Sequence, residues 1–419
     1  MSFLPVLVVF VGAYLLIKLR FFFFVHPIAT VKAIRIALST KASRRNLALS
    51  LSGTLGVGNI VGVAIGLSIG GAGTVFWLIV SSAFSMTLKY CESALSAEMS
   101  TDSGLIGVFR TLFLRYGKYM TAIYSFALIL LSLTLGSSIQ VSAIINCAAR
   151  FNIDSLLCVF LVSLFVLFVI SRGRRAIKGL TAYLIPVASV VYLTLCFYVI
   201  FIRADKVMFV LSSISENAFT SHSVRGGVFG FLSNNAIREG FSRGLMSNEA
   251  GTGASSLANS EGIKTSHHAG LIGVVEVFFD TVVVCLLSSF AMLLTFDRDY
   301  KGLSGMEIVF SSFGSLFCGM GGYILLFSVT LFAISSIICW YYYGVKCVSF
   351  LGVKRVRIYS VIFILSCYFA LWIDEITLVR ISDFLLLVLT FLTSLVLIKS
   401  SDRIKRLSEL GGLIRSSRD

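Results

Sequence analysis

Residues 52–74 read Ser-Gly-Thr-Leu-Gly-Val-Gly-Asn-Ile-Val-Gly-Val-Ala-Ile-Gly-Leu-Ser-Ile-Gly-Gly-Ala-Gly-Thr. The stretch is apolar enough for membrane depth, yet it holds eight glycines and Asn59. Each glycine costs a helix about 1 kcal/mol relative to alanine. A segment that only crosses lipid is built from Leu, Ile and Val instead. Non-helical backbone survives at membrane depth only where protein covers it or where it lines a cavity. Gly53, Gly56 and Gly58, followed by Asn59, therefore predict a deliberately broken transmembrane helix. Breaks of this kind build substrate and ion sites in secondary transporters.

Composition supports the membrane reading. The 419 residues are 57% hydrophobic and 13% charged, where a soluble domain carries about 25% charge. With only Pro5, Pro27 and Pro186 present, helix breaks must come from glycine. The net charge of +15 is a topology signal rather than a nucleic-acid signal, because the basic residues sit in short loops between apolar runs. The nine cysteines lie mostly inside apolar runs and form no CxxC pair, so they read as small core residues. His267 and His268 have no third ligand nearby. No cleavable signal peptide is expected, since Lys18, Arg20 and four phenylalanines follow the first apolar run without a small-residue cleavage site.

A span needs about 20 apolar residues, and eleven runs qualify: 4–24, 46–69, 73–98, 118–147, 154–171, 180–202, 226–262, 269–296, 320–344, 357–373 and 381–399. With the N-terminus outside, the inside loops hold 26 of the 35 Lys and Arg residues. An outside N-terminus and an inside C-terminus follow. Setting the first span aside leaves ten, of which the first and the sixth are interrupted by glycine. Corresponding breaks in two halves of five mark an inverted repeat. The expected organisation is an all-α integral membrane protein. It has an extra helix and basic connector (1–45), two five-helix repeats (46–202 and 203–399) and a basic tail (400–419).

Several motifs identify a family resemblance. They are Gly-Val-Gly-Asn-Ile-Val-Gly-Val-Ala (56–64), Gly-Gly-Ala-Gly-Thr-Val-Phe-Trp (70–77) and Met-Thr-Leu-Lys-Tyr-Cys-Glu (86–92), then Ala-Ile-Arg-Glu-Gly-Phe-Ser-Arg-Gly-Leu-Met-Ser-Asn-Glu-Ala-Gly-Thr-Gly (236–253), Val-Phe-Phe-Asp-Thr (277–281) and Trp-Tyr-Tyr-Tyr-Gly-Val-Lys-Cys (340–347). In order, over about residues 4–399, they resemble the alanine/glycine:cation symporter family. The resemblance implies a LeuT-type 5+5 fold preceded by one extra helix. It also implies sodium-coupled uptake of alanine, glycine or D-alanine across a bacterial or archaeal plasma membrane. The chain departs from the family pattern at Ala72, at 101–109 and at Ser382-Asp383.

The broken helix has a clear chemical use. Its exposed N–H end suits a carboxylate, and its carbonyl end suits Na+ or an ammonium. Thr54, Gly56, Gly58 and Asn59 are candidate substrate contacts; Gly53 and Val57 are candidate sodium contacts. Close small-xxx-small packing, as in Gly58-xxx-Gly62, is the alternative. The second break lies either at Gly226–Asn235, which includes Gly230, or at Ser247–Gly253. Charge at Arg238 and beyond favours the first for the membrane midplane, while the resemblance carries its stronger motif in the second. Arg238, Arg243, Asn248 and Glu249 are candidate gating or coupling residues, Glu249 pairing with Arg243 or Arg238. The alternative is a solvated cytoplasmic helix.

Gln140 is a polar residue in an apolar span: a ligand contact or an interhelical hydrogen bond. By the resemblance, Ser335 and Ser336 complete a sodium site facing the first broken helix. Their alternative is a bond to the carbonyl four residues back. Trp340, one turn on, walls the small-substrate pocket. Glu276 and Asp280 lie on one helix face, and intramembrane carboxylates are functional by default; Asp280 supports a cation or pairs with an arginine. Glu92 is expected to pair with Lys89 or a loop cation.

The expected function is sodium-coupled symport of a small neutral amino acid by alternating access, with Na+ as coupling ion. The expected partners are the substrate and the bilayer, without nucleic acid, and the expected state is a monomer. Alternatives are a proton-coupled permease, a nutrient sensor or a channel. No GxxxxGK[ST] motif supports a primary pump, and no nucleophile–base pair supports an enzyme.

Overall fold

The computed structural model describes residues 3–99, 103–219, 235–263, 265–295, 303–352 and 355–416, with side chains left out at Cys318 and 410–416. The helices in chain order are α1 (Leu4–Lys18), α2 (Pro27–Ala37), α3 (Lys41–Thr54), α4 (Val61–Gly70), α5 (Gly73–Met99), α6 (Leu105–Leu112), α7 (Gly117–Phe151), α8 (Ser155–Ser171), α9 (Arg174–Ile202), α10 (Val207–Ala218), α11 (Asn235–Asn248), α12 (Ser256–Asn259), α13 (Ser266–Thr295), α14 (Gly305–Phe313), α15 (Met320–Phe350), α16 (Val356–Leu371), α17 (Glu375–Lys399) and α18 (Ser401–Ser416). No strand occurs among the described residues.

Six of these helices, α5, α7, α9, α13, α15 and α17, are long and apolar enough to cross a bilayer. The pair α3 and α4, bent by 64° at its break, is long and apolar enough only when its two halves are taken together. α1, α8 and α16 are shorter apolar helices. The expected span 226–262 is not one continuous helix. Its described part is α11, then non-helical backbone, then the single turn α12; residues 220–234 lie outside the described residues.

Polar residues at the two faces explain where helices start. Thr40 caps α3, Asp154 caps α8, Thr265 caps α13 and Asp374 caps α17, each accepting from a backbone N–H of the first turn. Ser304 and Glu307 form a capping box on α14. A cap of this kind contributes about 1 kcal/mol. One face carries Lys18–Asp402 (2.7 Å), Glu98–Arg403 (3.3 Å), Lys178–Glu261 (3.1 Å) and Lys346–Glu261 (3.4 Å). The opposite face carries Arg150–Glu307 (3.9 Å) and the Asn146–Glu375 hydrogen bond (3.2 Å). Lys89 is completely buried in α5.

At the centre, α5 packs along α13 and α11, and α15 packs along α3, α7 and α9. Glycines permit the closest approaches. A Cβ on Gly240 of α11 would meet the backbone of α5 at 2.7 Å, and one on Gly273 of α13 would do the same. Two transmembrane helices carry π-helical turns, Thr134–Ser138 in α7 and Phe278–Cys285 in α13. Such turns insert a residue into the helical register and often sit at functional sites; here they redirect Gln140 and Asp280.

Candidate functional site

The first break begins where α3 ends at Thr54. Leu55 and Gly56 leave the helix, Val57–Asn59 form a 3-10 turn, and α4 restarts at Val61. Partners from other helices satisfy the freed backbone, as burial requires. Gln140 Oε1 accepts from the Val57 N–H (3.1 Å), and Gln140 Nε2 donates to the Leu135 carbonyl within the π turn (3.2 Å). Gly56 lies directly against this amide: an added Cβ would stand 2.8 Å from Gln140 Oε1 and 2.9 Å from Nε2. Gln140 thus braces the unwound turn, and only glycine fits beneath it.

The second break is formed by Glu249–Ser255, between α11 and α12. Every residue of this non-helical segment is buried. Glu249, Gly251 and Gly253 have φ of 54°, 91° and 74°, the left-handed region that glycine enters without a Cβ penalty. The Thr252 carbonyl accepts from the hydroxyls of Tyr124 (2.7 Å) and Thr393 (3.3 Å). Asn248 Oδ1 accepts from the Ala250 N–H (3.0 Å), and Asn248 Nδ2 donates to Thr281 (3.0 Å). Of the two alternatives read from the sequence, the Ser247–Gly253 stretch is the one seen as an interruption. Gly230 and its segment lie outside the described residues.

Asp280 joins the two breaks. Its Oδ1 accepts from Asn59 Nδ2 at 2.6 Å. Its Oδ2 accepts from Ser247 (2.6 Å) and Thr281 (3.0 Å). Among the described residues no arginine pairs with Asp280, one of the two alternatives read from the sequence; amide and hydroxyl donors hold the carboxylate. Asn59 Oδ1 is buried and unpartnered, a free acceptor beside the break.

Ser336 Oγ donates to the Gly53 carbonyl (3.3 Å), the last turn of α3. Ser335 Oγ turns back to Phe332 within its own helix (2.9 Å). The adjacent hydroxyls therefore diverge, and only Ser336 reaches the break. Cys339, one turn on, donates to the Leu49 carbonyl (3.0 Å). The cysteine sulfur thus serves α3–α15 packing.

A narrow cavity of about 30 Å³ lies at the first break. Its lining includes Gly53, Thr54, Gly56, Val57, Gly58, Gln140, Arg243, Ser247 and Glu249, with Leu135, Ile139, Met246 and Val379 as apolar walls and Glu375. A water molecule occupies about this volume in the liquid. Trp340 is fully buried against Gly136 of the π turn and edge-on to Tyr343. It does not line this cavity.

The charged residues of α11 arrange differently from expectation. Arg243 Nε and Nη2 both donate to Glu239 Oε2 (3.1 and 3.0 Å), and Arg238 lies 3.6 Å from Glu239. Glu249 pairs with neither arginine. α11 starts beside Gly70, at the face opposite Lys18 and Asp402, so it is not a solvated helix of the basic face. Lys89 pairs with Glu276 (2.9 Å) and donates to Ser255 (2.7 Å), rather than pairing with Glu92. Sequence reasoning missed this Lys89–Glu276 pair, because nothing in either helix alone sets their mutual rotation. It missed the π turns for the same reason.

Buried polar side chains that converge on two interrupted helices are the arrangement from which membrane transporters build their sites. Solved transporters share the fold. A manganese transporter from Eremococcus coleocola superposes with a TM-score of 0.57 at 14% identity, over 85% of this chain and 76% of that one. A Na+-coupled sialic acid symporter gives 0.52 at 12% identity, over 98% and 87%. The chain belongs to the sodium:alanine symporter family, whose model matches residues 1–407, and it is a multi-pass secondary transporter. It is 30% identical over 338 residues to the sodium/alanine symporter AgcS of Methanococcus maripaludis, covering 77% of this chain and 73% of the relative. It is 28% identical to the probable sodium/glutamine symporter GlnT of Bacillus subtilis (74% and 66%). It is 26% identical to the putative sodium/proton-dependent alanine carrier YrbD of that species (75% and 68%).

Proposed function

We propose that this transporter carries Na+ and a small neutral amino acid, alanine, glycine or D-alanine, together into the cell. The observation that carries the reading is the bridge at Asp280, which ties Asn59 of one break to Ser247 at the other. Movement of either broken helix is thereby felt by both. In this reading the substrate carboxylate meets the N–H groups around Gly56 and Gly58, with Thr54 and Asn59 beside it and Gln140 bracing the turn. Na+ sits where the Gly53 and Val57 carbonyls and the Ser336 hydroxyl supply hard oxygen ligands, with Ser335 rotating in to join them. Gly56, wedged under Gln140, limits the cargo to something near alanine in size. Trp340 backs the wall from behind Gly136. Arg238, Arg243, Asn248, Glu249 and Asp280 transmit the conformational change.

The proposed architecture is of LeuT type with eleven spans. α1 is the extra helix; α3/α4, α5, α7, α8 and α9 form one repeat. The second consists of the broken α11/α12 span with α13, α15, α16 and α17. Packing of α5 on α13 and of α4 on α11 supports it, because these are the equivalent second and first members of the two repeats. The face with Lys18 and Asp402 is cytoplasmic by the positive-inside rule, leaving the N-terminus outside a bacterial or archaeal plasma membrane. The protein acts as a monomer.

Uptake of labelled L-Ala, D-Ala and Gly into proteoliposomes under an imposed Na+ gradient tests the reading. Accumulation against the substrate gradient supports symport. Equilibration without accumulation makes the protein a channel, and binding without flux makes it a sensor. The relative described as sodium/proton-dependent gives weight to proton coupling as a second reading; uptake that survives replacement of Na+ by choline at fixed pH selects it.

A further inference from the structure

Glu92 is fully buried, and no described side chain donates a hydrogen bond to either of its carboxyl oxygens, which face the backbone of Gly251 and Gly253. The neighbouring cation is already engaged. Lys89 is bound by Glu276 Oε1 (2.9 Å) and Ser255 (2.7 Å), and the other Glu276 oxygen accepts from Asn259 (2.8 Å). Glu276 is therefore satisfied as an anion, and Lys89 with Glu276 forms a neutral pair. The groups facing Glu92 are Lys89 and Cys91 on α5, Glu276 on α13 and Tyr124 on α7, with the Gly251 and Gly253 backbone of the unwound segment. Glu249 on that segment also faces it, with one carboxyl oxygen unpartnered. One ammonium thus stands among three buried carboxyl groups, and Tyr124 and Cys91 bring no positive charge.

An uncompensated buried carboxylate is strongly disfavoured; in practice such a group is neutralised. A metal ion does not fit here: among the described residues, no three His, Cys, Asp or Glu side chains are arranged to hold one. A proton needs no coordination shell. We propose that Glu92 is a proton-binding site in the core, separate from the sodium and substrate positions. The proton exchanges with the basic face when the Glu249–Ser255 segment moves. Gly251 and Gly253 of the segment, both at positive φ, set their backbone against Glu92, and α5 ends at Met99 on the basic face, ~10 Å further along the helix.

The bound proton stands on geometry and charge balance alone; its exchange during transport rests on the symport reading. Infrared difference spectroscopy of the purified full-length protein reads the first directly. The carbonyl band of a neutral carboxylic acid should be present near neutral pH and lost in Glu92→Gln, with the melting temperature retained, since glutamine copies the shape and neutrality of the acid. A band unchanged in Glu92→Gln overturns the site. So does a Glu92→Gln variant that cannot fold, because the native state then requires the anion. In proteoliposomes, Na+-driven alanine uptake should vary with the pH bathing the basic face in the wild type and lose that dependence in Glu92→Gln. Identical pH profiles overturn the exchange. If the wild type shows no Na+-driven uptake, the symport reading falls while the infrared band still decides the proton.

Discussion

Asn59 and Asp280, 221 positions apart, meet at 2.6 Å through an amide N–H donated to a carboxylate. This contact ties the unwound turn of the first broken helix to the π turn of α13, and Ser247 adds the end of α11. A polar residue whose place in an apolar helix looked anomalous is thus the donor that a buried carboxylate needs. Asn59→Leu removes that donor, and a buried acceptor left unmet costs about 1–3 kcal/mol, more when it is charged. Sodium-dependent uptake should vanish while the protein still inserts and expresses. Normal uptake would remove Asn59 from the site.

The divergence of the two serines separates their roles. Ser336→Ala deletes the only hydroxyl of the pair that reaches Gly53 and should raise the Na+ concentration for half-maximal uptake by about tenfold, a loss of ~1.4 kcal/mol. Ser335→Ala, whose hydroxyl bonds within its own helix, should shift it less. Equal shifts would mean that Ser335 turns into the site when the ion binds. Uptake measured across a Na+ titration decides between them.

Gly56 leaves no room for a methyl group. Gly56→Ala would press on both polar atoms of the Gln140 amide, and overpacking of this kind costs about 1–3 kcal/mol. Substrate affinity should fall. Gln140→Ala in the same chain should restore space but not uptake, because the Val57 N–H then lacks its acceptor. Labelled-alanine binding and uptake, compared across the three proteins, are the measurements.

Lys89 and Glu276 are both fully buried. Removing one partner of such a pair costs about 3–5 kcal/mol, so Lys89→Met should lower the melting temperature sharply. Lys89→Met with Glu276→Leu should recover much of that loss, since no lone charge remains. A double variant no more stable than the single one would show that Asn259 and Ser255, not the ion pair, hold α5 to α13.

Glu261, in the loop before α13, receives the Tyr342 hydroxyl and lies near Lys178 and Lys346. Burial pushes its carboxyl up, but Tyr342 and the two lysines outweigh burial and hold it below the ordinary carboxylate value. A depressed folded value stabilises the protein above the unfolded one, and the gain is lost as pH falls through the folded value. The melting temperature should therefore decline on acidification below roughly pH 4.3, and Glu261→Gln should be less sensitive there. Parallel melting curves against pH for the two proteins test this.

The sequence by itself determined that the chain is an all-helical, multi-pass membrane protein and that the helix through Gly53–Asn59 is broken. These follow from local physics: the length of an apolar run and the helix cost of glycine. The tertiary structure decided which side chains share a site. It chose the Ser247–Gly253 stretch as an interruption, gave Glu276 to Lys89, turned Ser335 away from Ser336, and placed Trp340 behind the cavity wall. Helix–helix packing did this, and the two π turns fall just before Gln140 and at Asp280. Rotation and register between helices arise from contacts far apart in the chain, so no single helix encodes them. The glycines that predict a broken helix could therefore be read in advance, but the Asp280 bridge that joins it to its partner could not.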